Sequence, residues 1–330
     1  MNVIVERERP LAELEERIAV LRARGRETAG ADRRALDDDV RMLEENYREL
    51  LRDLFGNLSA WERVNMARHP KRPIASDYLA AFDQFDELHG DRQFRDDPAL
   101  VGGFAKLRGR RVMVLAQQKG RDTRENIKRN FGMVSPEGYR KATRLMRLAD
   151  RFRLPIVTLV DTSGADPGVA SEEHAQAEAI ASALMTLCKA SVPVVASIIG
   201  EGGSGGALAI ALADRVIMAE NAVYSVASPE GCAAILWGDA ARAAEAAERL
   251  KLTSGDLLEF EIVDEVVPEP LGGAHRDPVA FVERILDAVD ASLRDLERLP
   301  PSDLRERRYR KFRRIGAWDE ATLPRVVAVP

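Results

Sequence analysis

The residues best suited to chemistry lie in VVASIIGEGGSGGALAIALADRVIMAEN, which runs from Val194 to Asn221. Gly200-x-Gly202-x-x-Gly205 follows an apolar β-branched run and opens a small-residue run, and Glu220 closes the next apolar run, 20 positions after Gly200. Strand, glycine fingerprint, helix, strand and acid form the layout that binds the pyrophosphate and ribose of a dinucleotide. Against that reading, such a fingerprint opens a nucleotide-binding half, whereas this one follows two other strand–helix units and precedes only a short helix. The glycines are also doubled, at Gly202-Gly203 and Gly205-Gly206, so backbone can approach a ligand on both sides of Ser204. That pattern suits an oxyanion hole, in which fixed backbone N–H groups meet a developing negative charge such as an enolate. Close packing of helix on strand is a third use of the same glycines.

Two more loops share the arrangement: DTSGADPG (residues 161–168) and SPEG (residues 228–231) also follow strand-like runs and precede helical ones. Loops at equivalent ends of parallel strands gather on one side of a sheet, where helix N-termini aim unpaired N–H groups into one space. Few side chains compete for the role of base. His174 reads as a solvated or capping residue at a helix start, and His89 and His275 read as loop ties. QKGRDTRENIKRN brings together Lys119, Arg121, Arg124, Lys128 and Arg129, which suit a solvated face and a phosphate contact equally. Cys188 and Cys232 are too few for a disulfide framework and lack the paired spacing of a zinc site, so no metal is expected in this chain.

The elements that must position these residues follow from periodicity. LAELEERIAVLRARG and LDDDVRMLEENYRELLRDLFGNL carry apolar residues at helical spacing among dense charges, with Gly25 to Asp32 as connector. Pro70 and Pro73 mark a boundary, giving a helical region over residues 1–70 and a larger unit over 71–330. In the latter, ALVGGFAKL and RRVMVLAQQ flank a turn at Gly109, as in a hairpin. PEGYRKATRLMRLADRF is an amphipathic helix begun by Pro136, LPIVTLVD and VPVVASII are buried strands, and SEEHAQAEAIASALMTLCKA is a helix with Ser171 as N-cap. GGALAIALA is helical, RVIMAE and AVYSVA are short strands, and DPVAFVERILDAVDASLRDLERL and SDLRERRYRKFRRIG are closing helices. The fold class is therefore α/β. A chain of 330 residues with 45% hydrophobic and 31% charged residues buries a large core. Its net charge of -5 gives no whole-molecule attraction to nucleic acid or an anionic membrane. The charged N-terminus MNVIVERERP and the lack of a long uncharged apolar run give a cytoplasmic expectation.

Longer stretches carry a resemblance. NLSAWERVNMARHPKRP, the segment from Glu87 to Phe152 beginning ELHGDRQFRDDPALVGGF, GEGGSGGALAIA, YSVASPEGCAAILW and VPEPLGGAHRDP closely resemble the alpha subunit of the carboxyltransferase of multisubunit acetyl-CoA carboxylase, over about residues 58–310. The resemblance implies a crotonase-like superhelix of strand-strand-helix units with an N-terminal helical extension. It implies an α2β2 assembly with a beta subunit that carries a zinc ribbon and the complementary acetyl-CoA surface. It also implies carboxyl transfer from biotin on the biotin carboxyl carrier protein, loaded by biotin carboxylase, to acetyl-CoA, giving malonyl-CoA for fatty acid biosynthesis. Alternatives of the same kind are a component of another biotin-dependent acyl-CoA carboxylase or decarboxylase, and a non-catalytic assembly or regulatory relative. By resemblance, Gly205, Gly206 and Ala207 supply donors facing biotin, Gly164 and Ala165 support them, and Gly202, Gly203, Ser204, Lys119, Arg121 and Arg124 are binding candidates. One departure stands out: the family's D-T-P-G-A-Y-P-G reads DTSGADPG here, so Ser163 and Asp166 replace a proline and an aromatic residue. A looser loop with an added negative charge is expected, with Arg121 as a cation able to offset it.

Overall fold

The computed structural model describes residues 2–27 and 31–316. Its centre is an eight-stranded mixed sheet of β1 (Gln84–Glu87), β2 (Leu100–Leu107), β3 (Arg110–Gln117), β4 (Ile156–Thr162), β5 (Val194–Gly203), β6 (Arg215–Ala219), β7 (Val223–Ser225) and β8 (Glu265–Val267). The spatial order is β1-β2-β3-β4-β5-β6-β8, with β7 paired to β5 beyond the end of β6. The first three strands are antiparallel, and β3 onward are parallel. The expected hairpin is present: Arg108 and Gly109 both take positive φ (48° and 80°), the geometry of a tight turn whose twist matches the flanking strands. Every residue of β4 is buried, as a parallel strand covered on both faces requires.

Helices cover the sheet where the periodicity places them, at Pro136–Phe152, Pro278–Leu296 and Pro301–Arg314. Two expectations change. The run after the 161–168 loop is not one helix capped by Ser171: Gly168 caps a short helix, Val169–Glu173, and Ala175 at φ 59° breaks it before Gln176–Lys189. The Ser171 hydroxyl donates instead to Asp166 Oδ2 at 2.6 Å, a tertiary use of a residue type that also suits a cap. Half of GEGGSGG is strand, because β5 continues to Gly203 by pairing Glu201, Gly202 and Gly203 with Val223, Tyr224 and Ser225. The helix Ser204–Ala211 then begins at once.

Near the N-terminus, helices Val3–Arg7, Arg9–Glu27 and Ala31–Phe55 precede Ala60–Ala67, and Ile4, Leu11, Leu51, Phe55, Leu58 and Met66 form a cluster of their own. The first long helix runs through Gly25, so the connector is narrower than expected, and its residues 28–30 lie outside the described residues. Between Pro70 and Pro73, Arg72 enters the interior. Its Nε donates to the Ile199 carbonyl at 2.8 Å and its Nη2 to Glu269 Oε1 at 2.6 Å. Glu269 also accepts from the N–H groups of Asn221 and Ala274. The pair is almost fully buried, with side chains 3% and 0% exposed, so removing one partner strands a charge in the core. Arg72→Leu is expected to cost about 3–5 kcal/mol of unfolding free energy in denaturant titration; a loss below about 1 kcal/mol would show that the pair does not hold β5 in place.

Candidate active site

The glycine loops at the ends of β4 and β5 are drawn together, and Arg68 ties Glu230 of the loop after β7 to Glu201 of β5. A Cβ on Gly200 would lie 2.4 Å from Asp161 Oδ1, one on Gly203 2.0 Å from the Ser163 carbonyl oxygen, and one on Gly206 2.4 Å from Ala165 N. The working register is thus Gly200-x-x-Gly203-x-x-Gly206, each glycine set against the 161–165 segment. This is a different set from the dinucleotide-type spacing. Glu220 is likewise occupied, because its carboxylate accepts from the N–H of Glu269 at 2.9 Å. Gly202 faces the Tyr224 ring, Gly205 has only Ile180 side-chain atoms near its Cβ direction, from 3.8 Å, and Gly164 faces open space.

With Gly203 as N-cap, the N–H groups of Ser204, Gly205 and Gly206 fall in the turn that lacks intrahelical acceptors, and no side chain caps them. Ala207 is the first position where the ladder can close. Ser204 is exposed and sits at φ 52°. The peptide that follows Gly206 is held from behind: its carbonyl accepts from Gln117 Nε2 at 2.8 Å and from the Tyr139 hydroxyl at 3.1 Å. Gln117 Oε1 accepts from the N–H of Asp161 at 3.2 Å, so one buried amide ties the two loops.

A charged network lies beneath. Asp161 Oδ1 accepts from the Glu201 N–H at 2.9 Å, Lys119 Nζ bridges Asp161 and Glu201 at 2.7 Å each, and Arg68 Nε reaches Glu201 at 2.6 Å and its Nη1 reaches Glu230 at 2.5 Å. Burial alone would raise the Glu201 carboxyl, but Lys119 and Arg68 outweigh it and hold it at about 2. Burial would lower the Lys119 ammonium, and Asp161 and Glu201 outweigh that and hold it above the usual lysine range. Of the basic candidates, Lys119 is therefore committed inward, Arg121 pairs with Asp77, and Arg124 is exposed. Arg121 does not reach Asp166. Asp166 instead accepts from Ser171 Oγ at 2.6 Å and from the Gly168 N–H at 3.2 Å, bonds that constrain the loop around Pro167.

The histidines lie elsewhere. His174 occupies the C-cap of the short helix, not a helix start, and its Nδ1 meets the buried Glu137 at 2.5 Å. His89 pairs with Asp96 at 3.0 Å. His69 and His275 stack at 3.7 Å between ring centroids and both meet Glu8, at 3.2 Å and 2.7 Å. Their ligand-type atoms lie within 4.8 Å of one another, close enough to hold a metal ion. The chemistry favours a clamp on the N-terminal helices instead. His69 Nδ1 accepts from the Lys71 N–H, which leaves the proton on Nε2, and Arg276 shares the Glu8 carboxylate at 3.0 Å.

Sequence reasoning missed Gln117, Tyr139, Asp161, Glu201 and Arg68. The available signal was a polar or charged residue closing an otherwise apolar strand, as in RRVMVLAQQ, LPIVTLVD and VPVVASIIGE.

The family model described as acetyl co-enzyme A carboxylase carboxyltransferase-like matches residues 4–316. The chain belongs to this family. It is 54% identical over 317 residues to the acetyl-coenzyme A carboxylase carboxyl transferase subunit alpha of Thermus thermophilus, covering 96% of this chain and 99% of that relative. It is 50% identical to the subunit alpha of Vibrio parahaemolyticus, covering 94% and 98%. Among solved structures it is similar to a Pseudomonas malonate decarboxylase hetero-tetramer with coenzyme A (TM-score 0.54, 18% identity, 64% of this chain and 85% of that one). It is also similar to the transcarboxylase 12S core (TM-score 0.50, 24% identity, 63% and 40%). The fold of this carboxyltransferase chain is accordingly crotonase-like, as the resemblance implied.

Two outcomes follow. Gly206→Ala drives a Cβ into backbone and is expected to destabilise the chain by about 1–3 kcal/mol, whereas Gly205→Ala should leave the melting temperature unchanged; equal melting of both would refute the glycine register. Burial lowers His275 from 6.5, with Glu8 opposing and His69 reinforcing, so the folded state disfavours its protonation. Burial raises Glu8, but His275, His69 and Arg276 outweigh it and hold its carboxyl below 4.5. Both groups have depressed folded values, so stability is present above 6.5, declines as pH falls below it, and declines further below 4.5. His275→Gln should remove the first decline in melting-temperature scans against pH.

Proposed function

We propose that this chain is the biotin-facing half of the carboxyltransferase of acetyl-CoA carboxylase, moving a carboxyl group from biotin on a carrier protein to acetyl-CoA to form malonyl-CoA. The carboxylated biotin supplies the carboxyl group, a nitrogen able to take the acetyl α-proton, and a ureido oxygen on which negative charge develops. This chain's part is to meet that charge with fixed donors, the N–H groups of Gly205 and Gly206, with Ala207 beside them and Gly164 and Ala165 across the gap. The observation that supports this most is the unpartnered first turn of Ser204–Ala211, locked against the 161–165 loop and backed by Gln117 and Tyr139 on the Gly206 carbonyl. Donors held in this way need no reorganisation as charge appears, and one such donor is worth on the order of 100-fold or more in rate. Room at Gly164 and Gly205 fits the approach of a flat ureido ring. Glu201 and Asp161 do not repel the developing charge freely, because Lys119 pairs with both and Arg68 with Glu201.

The site needs a second chain for acetyl-CoA. Val169, Val226 and Ile235 are 76%, 76% and 80% exposed on segments that follow the loops, apolar side chains that suit burial by a beta-type subunit. Among the described residues no helix is long and apolar enough to cross a membrane. The purified chain alone is expected to form no malonyl-CoA from acetyl-CoA and carboxybiotin, and its cognate zinc-ribbon partner should restore transfer. Gly205→Val should abolish transfer in an assembled complex. Activity of the lone chain, or unaltered turnover in Gly205→Val, would overturn the reading, and product analysis with other acyl-CoAs separates it from a related carboxylase or decarboxylase.

A further inference from the structure

Away from the glycine loops, the helix Pro136–Phe152 presents Arg140, Arg144 and Arg147 along one face. With Arg92 they line a groove of 570 Å³, whose only carboxylates are Asp91 and Glu178. Arg144 is held by the carbonyls of His89 and Gly90, and Arg140 by the carbonyl of His174. Arg92 and Arg147 are exposed, and their side chains make no hydrogen bond or ion pair among the described residues. Burial and repulsion from Arg92 lower the Arg144 guanidinium, opposed by Asp96 and Asp91, and Arg140 lies 3.9 Å from Glu178, so the four guanidiniums of the groove outnumber its two carboxylates. A second observation is independent of charge. Thr143, in the groove wall, is 6% exposed and its Oγ1 has no partner, and neither has Asp91 Oδ2.

We propose that this groove binds the phosphate groups of a small phosphorylated ligand. Guanidinium forks pair with phosphate oxygens in bidentate fashion, and a buried hydroxyl between them supplies a further donor. Arg140 and Arg147 are seven residues apart, about 10 Å along the helix axis. That reach exceeds one phosphate and suits a diphosphate or two phosphates on one molecule. Asp91 Oδ2 would accept from a hydroxyl of the same ligand. No aromatic side chain lines the groove, so recognition rests on phosphate rather than on a stacked base. The volume is that of a small-molecule site, and the net charge of -5 disfavours nucleic acid. Glu178 and Ser182 belong to the helix Gln176–Lys189, whose Ile180 approaches Gly205 from the opposite face. The groove is therefore one helix away from the site, and the phosphates of coenzyme A or those of a separate effector would satisfy the same chemistry. Only the coenzyme A assignment rests on the proposed function.

The test is calorimetric titration of the full chain with inorganic pyrophosphate. Saturable binding is expected, weakened by salt, about tenfold weaker in Arg147→Glu and about threefold weaker in Thr143→Val. Thr143→Val removes an unpartnered hydroxyl and Arg147 has no partner to lose, so neither should lower the melting temperature. Arg92→Ser gives the same readout from another element. Displacement of pyrophosphate by coenzyme A, with a raised KM for acetyl-CoA and unchanged kcat in the Arg147→Glu complex, assigns the groove to the substrate. Binding without such competition assigns it to a separate phosphorylated ligand. Absence of saturable pyrophosphate binding, or equal binding by parent and variants, overturns the proposal, whereas failure of carboxyl transfer removes only the substrate assignment.

Discussion

The candidate site depends on two backbone segments approaching closer than any side chain permits. Gly200, Gly203 and Gly206 meet Asp161, Ser163 and Ala165 at distances where even a methyl group overlaps main-chain or carboxylate atoms. Because β4 and β5 are parallel, their ends point to the same side, and a register irregularity between Val160 and Thr162 brings Thr162 opposite Gly202. The helix Ser204–Ala211 therefore starts directly over the 161–165 loop, and its open first turn faces outward from a rigid base.

That base is polar, and its buried carboxylates are each paired with a cation. A buried carboxylate is tolerated when cations and N–H donors surround it. Asp161 and Glu201 share Lys119, Glu201 also takes Arg68, and Glu269 takes Arg72 with the N–H groups of Asn221 and Ala274. These groups close β4 and β5 or follow β8, where a strand leaves the apolar core. Arg72 grips the Ile199 carbonyl, immediately before Gly200, so the same network sets where the glycine run begins.

For chemistry at a developing oxyanion, the consequence is preorganisation. The proposed donors are main-chain groups of glycines, so their side chains contribute by being absent. Gln117 and Tyr139, both fully buried, contribute by fixing the Gly206 carbonyl and hence the peptide plane beside it. Asp166 shows the same logic in the 161–168 loop: its carboxylate takes two local donors, the Gly168 N–H and the Ser171 hydroxyl.

The sequence by itself determined the parts that depend on neighbours along the chain. Apolar β-branched runs are β4 and β5, the Gly109 turn closes a hairpin, and Pro136 opens an amphipathic helix, because strand burial, positive φ and a missing N–H act locally. Family membership was also legible, since GEGGSGGALAIA and its companion stretches stand in the linear chain. Tertiary structure alone decided which glycines carry the contacts. Gly200-x-Gly202-x-x-Gly205 is the visible pattern, but what each residue faces is set by the pairing of β5 with β4 and β7. It also decided that Ser171 serves Asp166 rather than a helix end, that Lys119 turns inward and that Arg121 goes to Asp77. Each of these partners lies where the fold, not the spacing, brings it, and a charge or hydroxyl chooses among such partners only once the chain has closed around it.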